Sequence, residues 1–121
     1  MPKSLKTIQK DVEKFCQKRG WGNNDPNQLI TSTLIELGEL AEHYQWKDTF
    51  KKFNKKEKEE IGYEFVDVIF YLCRLANKSG IDLEESFYKK LPKLEKKFKV
   101  GINPKKVHDE YRKSGRNKRY D

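Results

Sequence analysis

The sequence predicts an all-α fold, a bundle of four main helices, and three observations carry that prediction. Apolar residues recur at spacings of three and four in four separate stretches. Helix start and stop signals fall at the ends of those stretches, and no run alternates apolar and polar residues as a strand would. At 121 residues the chain has the length of one domain, enough for a real but modest core.

The first stretch covers residues 4–19, where Leu5, Ile8, Val12, Phe15 and Cys16 form one amphipathic face and Arg19-Gly20-Trp21-Gly22 stops the helix. Asp25, Pro26 and Gln28 read as the N-cap, first helical position and capping-box partner of a second helix. Its core face is expected to carry Leu29, Ile30, Leu34, Leu37, Leu40, Ala41 and Tyr44, with Glu36 and Glu39 beside it. From Trp46 to about Lys56 the chain is polar and lysine-rich, a loop or short irregular turn. The third helix is expected over residues 55–78, ended by Ser79-Gly80, because glycine turns readily to positive φ. Asp82 and Glu85 form a further capping box before a fourth helix marked by Leu83, Phe87, Leu91, Leu94 and Phe98. Pro92 falls inside that pattern and is expected to kink or split it near Leu91. Residues 1–104 are thus one helical domain, and residues 105–121 a basic C-terminal tail.

Charge is divided as sharply as periodicity. Residues 89–121 hold 13 Lys and Arg against 4 Asp and Glu, a net of +9, which leaves 14 against 15 in the first 88 residues and accounts for the formal +8 of the chain. Such a tail suits contact with polyanions or steering of an anionic ligand. There is no apolar run of about 18 residues, the length of a membrane span, and no signal-peptide pattern follows Met1-Pro2-Lys3-Ser4, so a cytoplasmic protein is expected. Cys16 and Cys73 read as small buried thiols with no metal-ligand spacing. His43 and His108 read as ordinary surface or partly buried residues.

Two acid pairs stand out. Glu36 and Glu39 lie in Leu34-Ile35-Glu36-Leu37-Gly38-Glu39-Leu40-Ala41-Glu42; Glu64 and Asp67 lie in Glu64-Phe65-Val66-Asp67-Val68-Ile69-Phe70-Tyr71-Leu72. Each pair is three residues apart on a helix, so its members share a face, about 5–6 Å apart at Cβ. Glu57, Glu60, Glu64 and Asp67 follow at spacings of three, four and three, a stripe whose first half is expected to be solvated among lysines and whose second half is expected to enter the core. A lone ExxE is most often a solvated helix face. Two pairs inside apolar runs are different, because side-by-side helices would bring four carboxylates together, and oxygen-only ligation is what Mg2+ and Mn2+ select.

The segments Glu36-Leu37-Gly38-Glu39-Leu40-Ala41-Glu42 and Glu64 to Leu72 resemble the two signature helices of the MazG-like nucleotide pyrophosphohydrolases, the all-α NTP pyrophosphatase group that includes dCTP pyrophosphatases. The resemblance covers residues 5–98, with 24 residues between Glu39 and Glu64. It implies a MazG-like four-helix bundle associating as a dimer or tetramer, with Glu36, Glu39, Glu64 and Asp67 binding Mg2+ (Mn2+ as a substitute) for hydrolysis of a (d)NTP to (d)NMP and pyrophosphate, clearing noncanonical or excess nucleotides. It also implies that Trp21 and Trp46 help enclose the base and that Lys90 meets phosphate, while Tyr71, one turn after Asp67, can reach a phosphate or a ligand carboxylate. From the residues alone, Trp21 and Trp46 are equally pocket walls or partial core, while Lys90 reads first as a solvated charge. The first acid of the family's EExxE is replaced by Ile35, and Leu94 stands where an asparagine often follows the lysine. The alternatives are a helical module that binds nucleic acid through the basic tail, with the acid pairs structural, and a regulatory nucleotide sensor without turnover.

Overall fold

The computed structural model describes residues 3–45 and 52–101, which hold four helices and no strand, as the all-α reading expects. Trp46, His108 and the tail, with the expected boundary at residues 104 and 105, lie outside the described residues.

Helix α1 (Leu5–Lys18) starts at Ser4, whose hydroxyl accepts from the Thr7 amide. It ends in a Schellman motif: Gly20 takes φ 69°, the Trp21 amide donates to the Cys16 carbonyl and the Gly20 amide to the Gln17 carbonyl. Trp21 then meets Phe15 edge to face, with ring centroids 5.7 Å apart. Helix α2 (Pro26–Gln45) begins as its capping signal predicts, Asp25 Oδ1 accepting from the Asn27 amide and Gln28 Oε1 from the Asp25 amide. Helix α3 (Lys55–Lys78) has the expected bounds. Its start shows a feature the sequence reading missed: Glu57 is the partner of Asn54 in a capping box, so this acid closes the helix end and does more than balance nearby lysines. Helix α4 (Leu83–Lys97) runs unbroken through Pro92, so the expected split at Leu91 does not occur.

The described residues form two units, one ending at Leu83 and one beginning at Glu84. In the first, α3 packs along α2 over the longer interface and against α1 over a shorter one. Val12, Cys16 and Cys73 form the core of the α1–α3 contact, with Phe70 and Leu83 against them, and both cysteines are free thiols. Gln9 is buried here. Its Nε2 donates to Asn77 Oδ1 (2.9 Å) and to the Ile81 carbonyl (2.7 Å), and its Oε1 accepts from the Leu83 amide (3.0 Å). A buried amide so fully paired ties α1 to the end of α3.

Elsewhere the core expectation needs correction. Of the α2 face expected inside, only Leu29 and Leu40 are buried; Ile30, Leu34 and Leu37 are exposed, Leu34 by 62%. On α3, Phe65, Val66, Ile69 and Leu72 are exposed too, and Asp67, expected to be sheltered, is itself exposed, with Glu64 half-buried. The physical reason is width: both helices are apolar around more of their circumference than one partner helix can cover. In the second unit α4 carries exposed Phe87, Tyr88 and Leu94, and Glu85 pairs with Lys89 one turn later at 2.6 Å.

Candidate functional site

Packing of α2 on α3 brings the two acid pairs together. Glu36, Glu64 and Asp67 each offer a carboxylate oxygen, and these oxygens lie within 4.8 Å of one another. Glu39, one turn from Glu36 on α2, is exposed and stands outside this set of three. Partial burial, then the neighbouring Glu39 carboxyl, then the charges of Asp67 and Glu64 hold the Glu36 carboxyl above its ordinary range. One Glu64 oxygen, Oε2, is shut off from solvent and accepts no hydrogen bond from the described residues. The donor set is therefore all oxygen, negatively charged and incompletely satisfied, which fits a hard divalent cation.

His43 was missed as a neighbour of this cluster. It is half-buried, as expected, but its Nε2 lies 3.8 Å from Glu64 Oε1, an electrostatic contact beyond hydrogen-bond length. The signal was available: Glu36, Glu39 and His43 follow at spacings of three and four, one stripe of α2.

Further along α3 the same stripe changes character, from Glu64 and Asp67 through Tyr71 to Arg74 and Lys78. Tyr71 is half-buried one turn after Asp67, with the Arg74 guanidinium 5.5 Å from its ring centroid and 5.5 Å from that of Trp21. Trp21, 45% exposed, lines a cavity of about 220 Å³ together with Leu29, Asn24, Arg74 and Lys78. Arg74 Nη2 donates to Asn24 Oδ1 at 2.6 Å, and Lys78 Nζ to the Gly22 carbonyl at 3.1 Å. Sequence reasoning found the two aromatics here and missed Arg74 and Asn24. Lys90 lies half-buried on α4, in the second unit.

Helices of this kind, with acid pairs facing each other across one helix–helix contact, define an all-α class with a carboxylate cluster at its centre. A family model described as dUTPase matches residues 2–116. The rat dCTP pyrophosphatase 1 is 28% identical over 105 residues, covering 83% of this chain and 62% of the rat protein. Its human counterpart is 31% identical over 85 residues, covering 66% of this chain and 50% of the human protein. The uncharacterized protein YpjD of Bacillus subtilis (strain 168) is 35% identical over 89 residues, 69% of this chain and 77% of that protein. The chain belongs to this dUTPase family, is similar to the dCTP pyrophosphatases, and spans about 62% of the length of the rat relative.

Proposed function

We propose that this chain is a Mg2+-dependent nucleoside triphosphate pyrophosphohydrolase, converting a (d)NTP and water to (d)NMP and pyrophosphate and so clearing unwanted nucleotides from the pool. The observation that carries the reading is the convergence of Glu36, Glu64 and Asp67 oxygens within 4.8 Å, with Glu39 one turn from Glu36 on the same helix. Carboxylates at such distances repel one another, and a cation held between them relieves that repulsion. Bound Mg2+, or Mn2+ in its place, supplies charge neutralisation for the phosphate oxygens and acidifies water. Glu36, Glu39, Glu64 and Asp67 are the residues that would hold it.

The chain's own groups do the rest. An ionised member of the cluster accepts the proton of the attacking water as the anhydride bond between the α- and β-phosphates breaks. Trp21 offers an exposed indole for the base, with Trp46 as a second wall, and Tyr71 lies on α3 between the base end and the acids. A second copy of the chain covers Leu34, Leu37, Phe65 and Ile69, giving a dimer or tetramer; their exposure around the acid cluster supports this. No helix among the described residues is long and apolar enough to cross a membrane, and free buried cysteines suit the reducing cytoplasm.

The test is a panel of dNTPs and NTPs with Mg2+, following pyrophosphate and monophosphate release. Turnover that requires Mg2+ and is lost in Glu64→Gln and Asp67→Asn supports the reading. Absence of turnover across the whole panel in the wild type overturns it.

A further inference from the structure

The cavity beside Trp21 has an asymmetry of hydrogen-bonding groups that bears on base choice. Its half-buried polar side chains are Arg74, Asn24 and Asn77, and the Asn77 amide is engaged by Gln9, its Oδ1 accepting from Gln9 Nε2 and its Nδ2 donating to the Gln9 carbonyl. Arginine only donates; Asn24 Oδ1 has one lone pair engaged by Arg74 Nη2, and the Asn24 amide nitrogen adds a further donor. Glu13 and Gln17 also line the cavity, but both are exposed on α1, where solvent screens what a charge or amide contributes. Position is fixed as well: Arg74 is held between the Trp21 and Tyr71 rings, 5.5 Å from each centroid, and by the 2.6 Å bond to Asn24, so its fork of donors is oriented before any ligand arrives.

Arg74 also lies at the right distance from the acids. Seven residues separate it from Asp67 on one stripe of α3, which is about 10 Å along a helix axis. That is the order of the separation between a nucleobase and the outer phosphates of a nucleotide. At about 220 Å³ the cavity is smaller than the ~300–1,000 Å³ of sites that engulf whole drug-sized ligands, and it suits one base with its sugar and phosphates outside.

Resting on the reading of the chain as a nucleotide enzyme, we propose that Arg74, positioned by Asn24, is a specificity-determining residue that selects bases presenting a carbonyl oxygen, the uracil, thymine and guanine type, over bases presenting an amino group there, the cytosine and adenine type. Uracil and cytosine differ at position 4, oxygen against amino, as guanine and adenine do at position 6. At that position a guanidinium donates to the first of each pair and meets another donor in the second.

The experiment compares kcat/KM for dUTP against dCTP and for dGTP against dATP in wild type, Arg74→Gln and Arg74→Lys, alongside equilibrium binding of dUMP and dCMP by quenching of tryptophan fluorescence. The wild type is expected to favour the carbonyl base about tenfold or more in both pairs, the range of one good base-edge contact. Arg74→Gln, which donates and accepts equally, should bring both ratios to near unity, and Arg74→Lys, which keeps donors but not the fork, should retain the direction at reduced size. Equal or reversed ratios in the wild type, or ratios unchanged in Arg74→Gln, overturn the inference while turnover leaves the enzyme reading standing. If no triphosphate is hydrolysed yet dUMP binds more tightly than dCMP through Arg74, the enzyme reading falls and the base selection stands. If any variant fails to melt cooperatively, the wild-type ratios and the remaining variant decide.

Discussion

The two ends of α3 are built on opposite principles. Toward its C-terminus Cys73, Asn77 and Ala76 meet α1 in a region where buried groups are paired: Gln9 satisfies Asn77, Ile81 and Leu83, and two Schellman-type turns at Gly20 and Gly80, both at φ 69°, close the helices. Toward its middle, Glu64 and Asp67 face Glu36 with one carboxylate oxygen unsatisfied and apolar Phe65, Val66 and Ile69 left in solvent. The first end is complete within one chain. The second leaves charge uncompensated and apolar surface uncovered, features that ligand and partner sites commonly share.

Substitutions should therefore separate the ends. The largest effect is expected at the acid end, where Glu64→Gln or Asp67→Asn should lower turnover by roughly 10²–10³-fold, with the thermal midpoint unchanged or raised because mutual repulsion falls. A matching loss of stability would break the comparison. At the closed end Gln9→Ala should cost about 1–3 kcal/mol in urea unfolding, because it leaves the part-buried Leu83 amide and Ile81 carbonyl without their partner; Mg2+ affinity of the folded fraction should not change.

Titration sharpens the contrast. Glu36 is raised above its ordinary value of 4.5 in the fold, so the folded state holds that proton more tightly than the unfolded chain does. Its contribution to metal-free stability is full below that ordinary value and is lost as pH rises through the raised one. Thermal midpoints followed against pH should thus show Glu36→Gln gaining on wild type as pH rises through that window; parallel curves would contradict the assignment. The smallest effect is expected at the start of α3, where Asn54→Ala should cost about 1 kcal/mol through loss of the cap and leave turnover alone.

How much the sequence discloses differs between the same two regions. Helix bounds were legible because caps are local: Ser79-Gly80 and Asp25-Pro26 mark ends by backbone geometry that neighbours alone decide. Asn54 and Glu57 carried the same local signal and were overlooked. The meeting of Glu36 with Glu64 and Asp67 was legible because two buried-looking acid pairs have few acceptable arrangements. Burial of Leu34, Leu37 and Asp67 was not, since an apolar stripe shows that a face needs cover without showing whether the same chain supplies it. Arg74 and Asn24 are 50 positions apart, and nothing in spacing joins a helix residue to a loop residue at that range.

The central claim is that the four carboxylates are arranged for a cation. Thermal unfolding of the full chain at neutral pH, titrated with Mg2+, tests it directly. The account predicts a saturable rise of several degrees in wild type that is abolished or strongly reduced in Glu64→Gln. A midpoint indifferent to Mg2+, or a rise of the same size in both proteins, would contradict it.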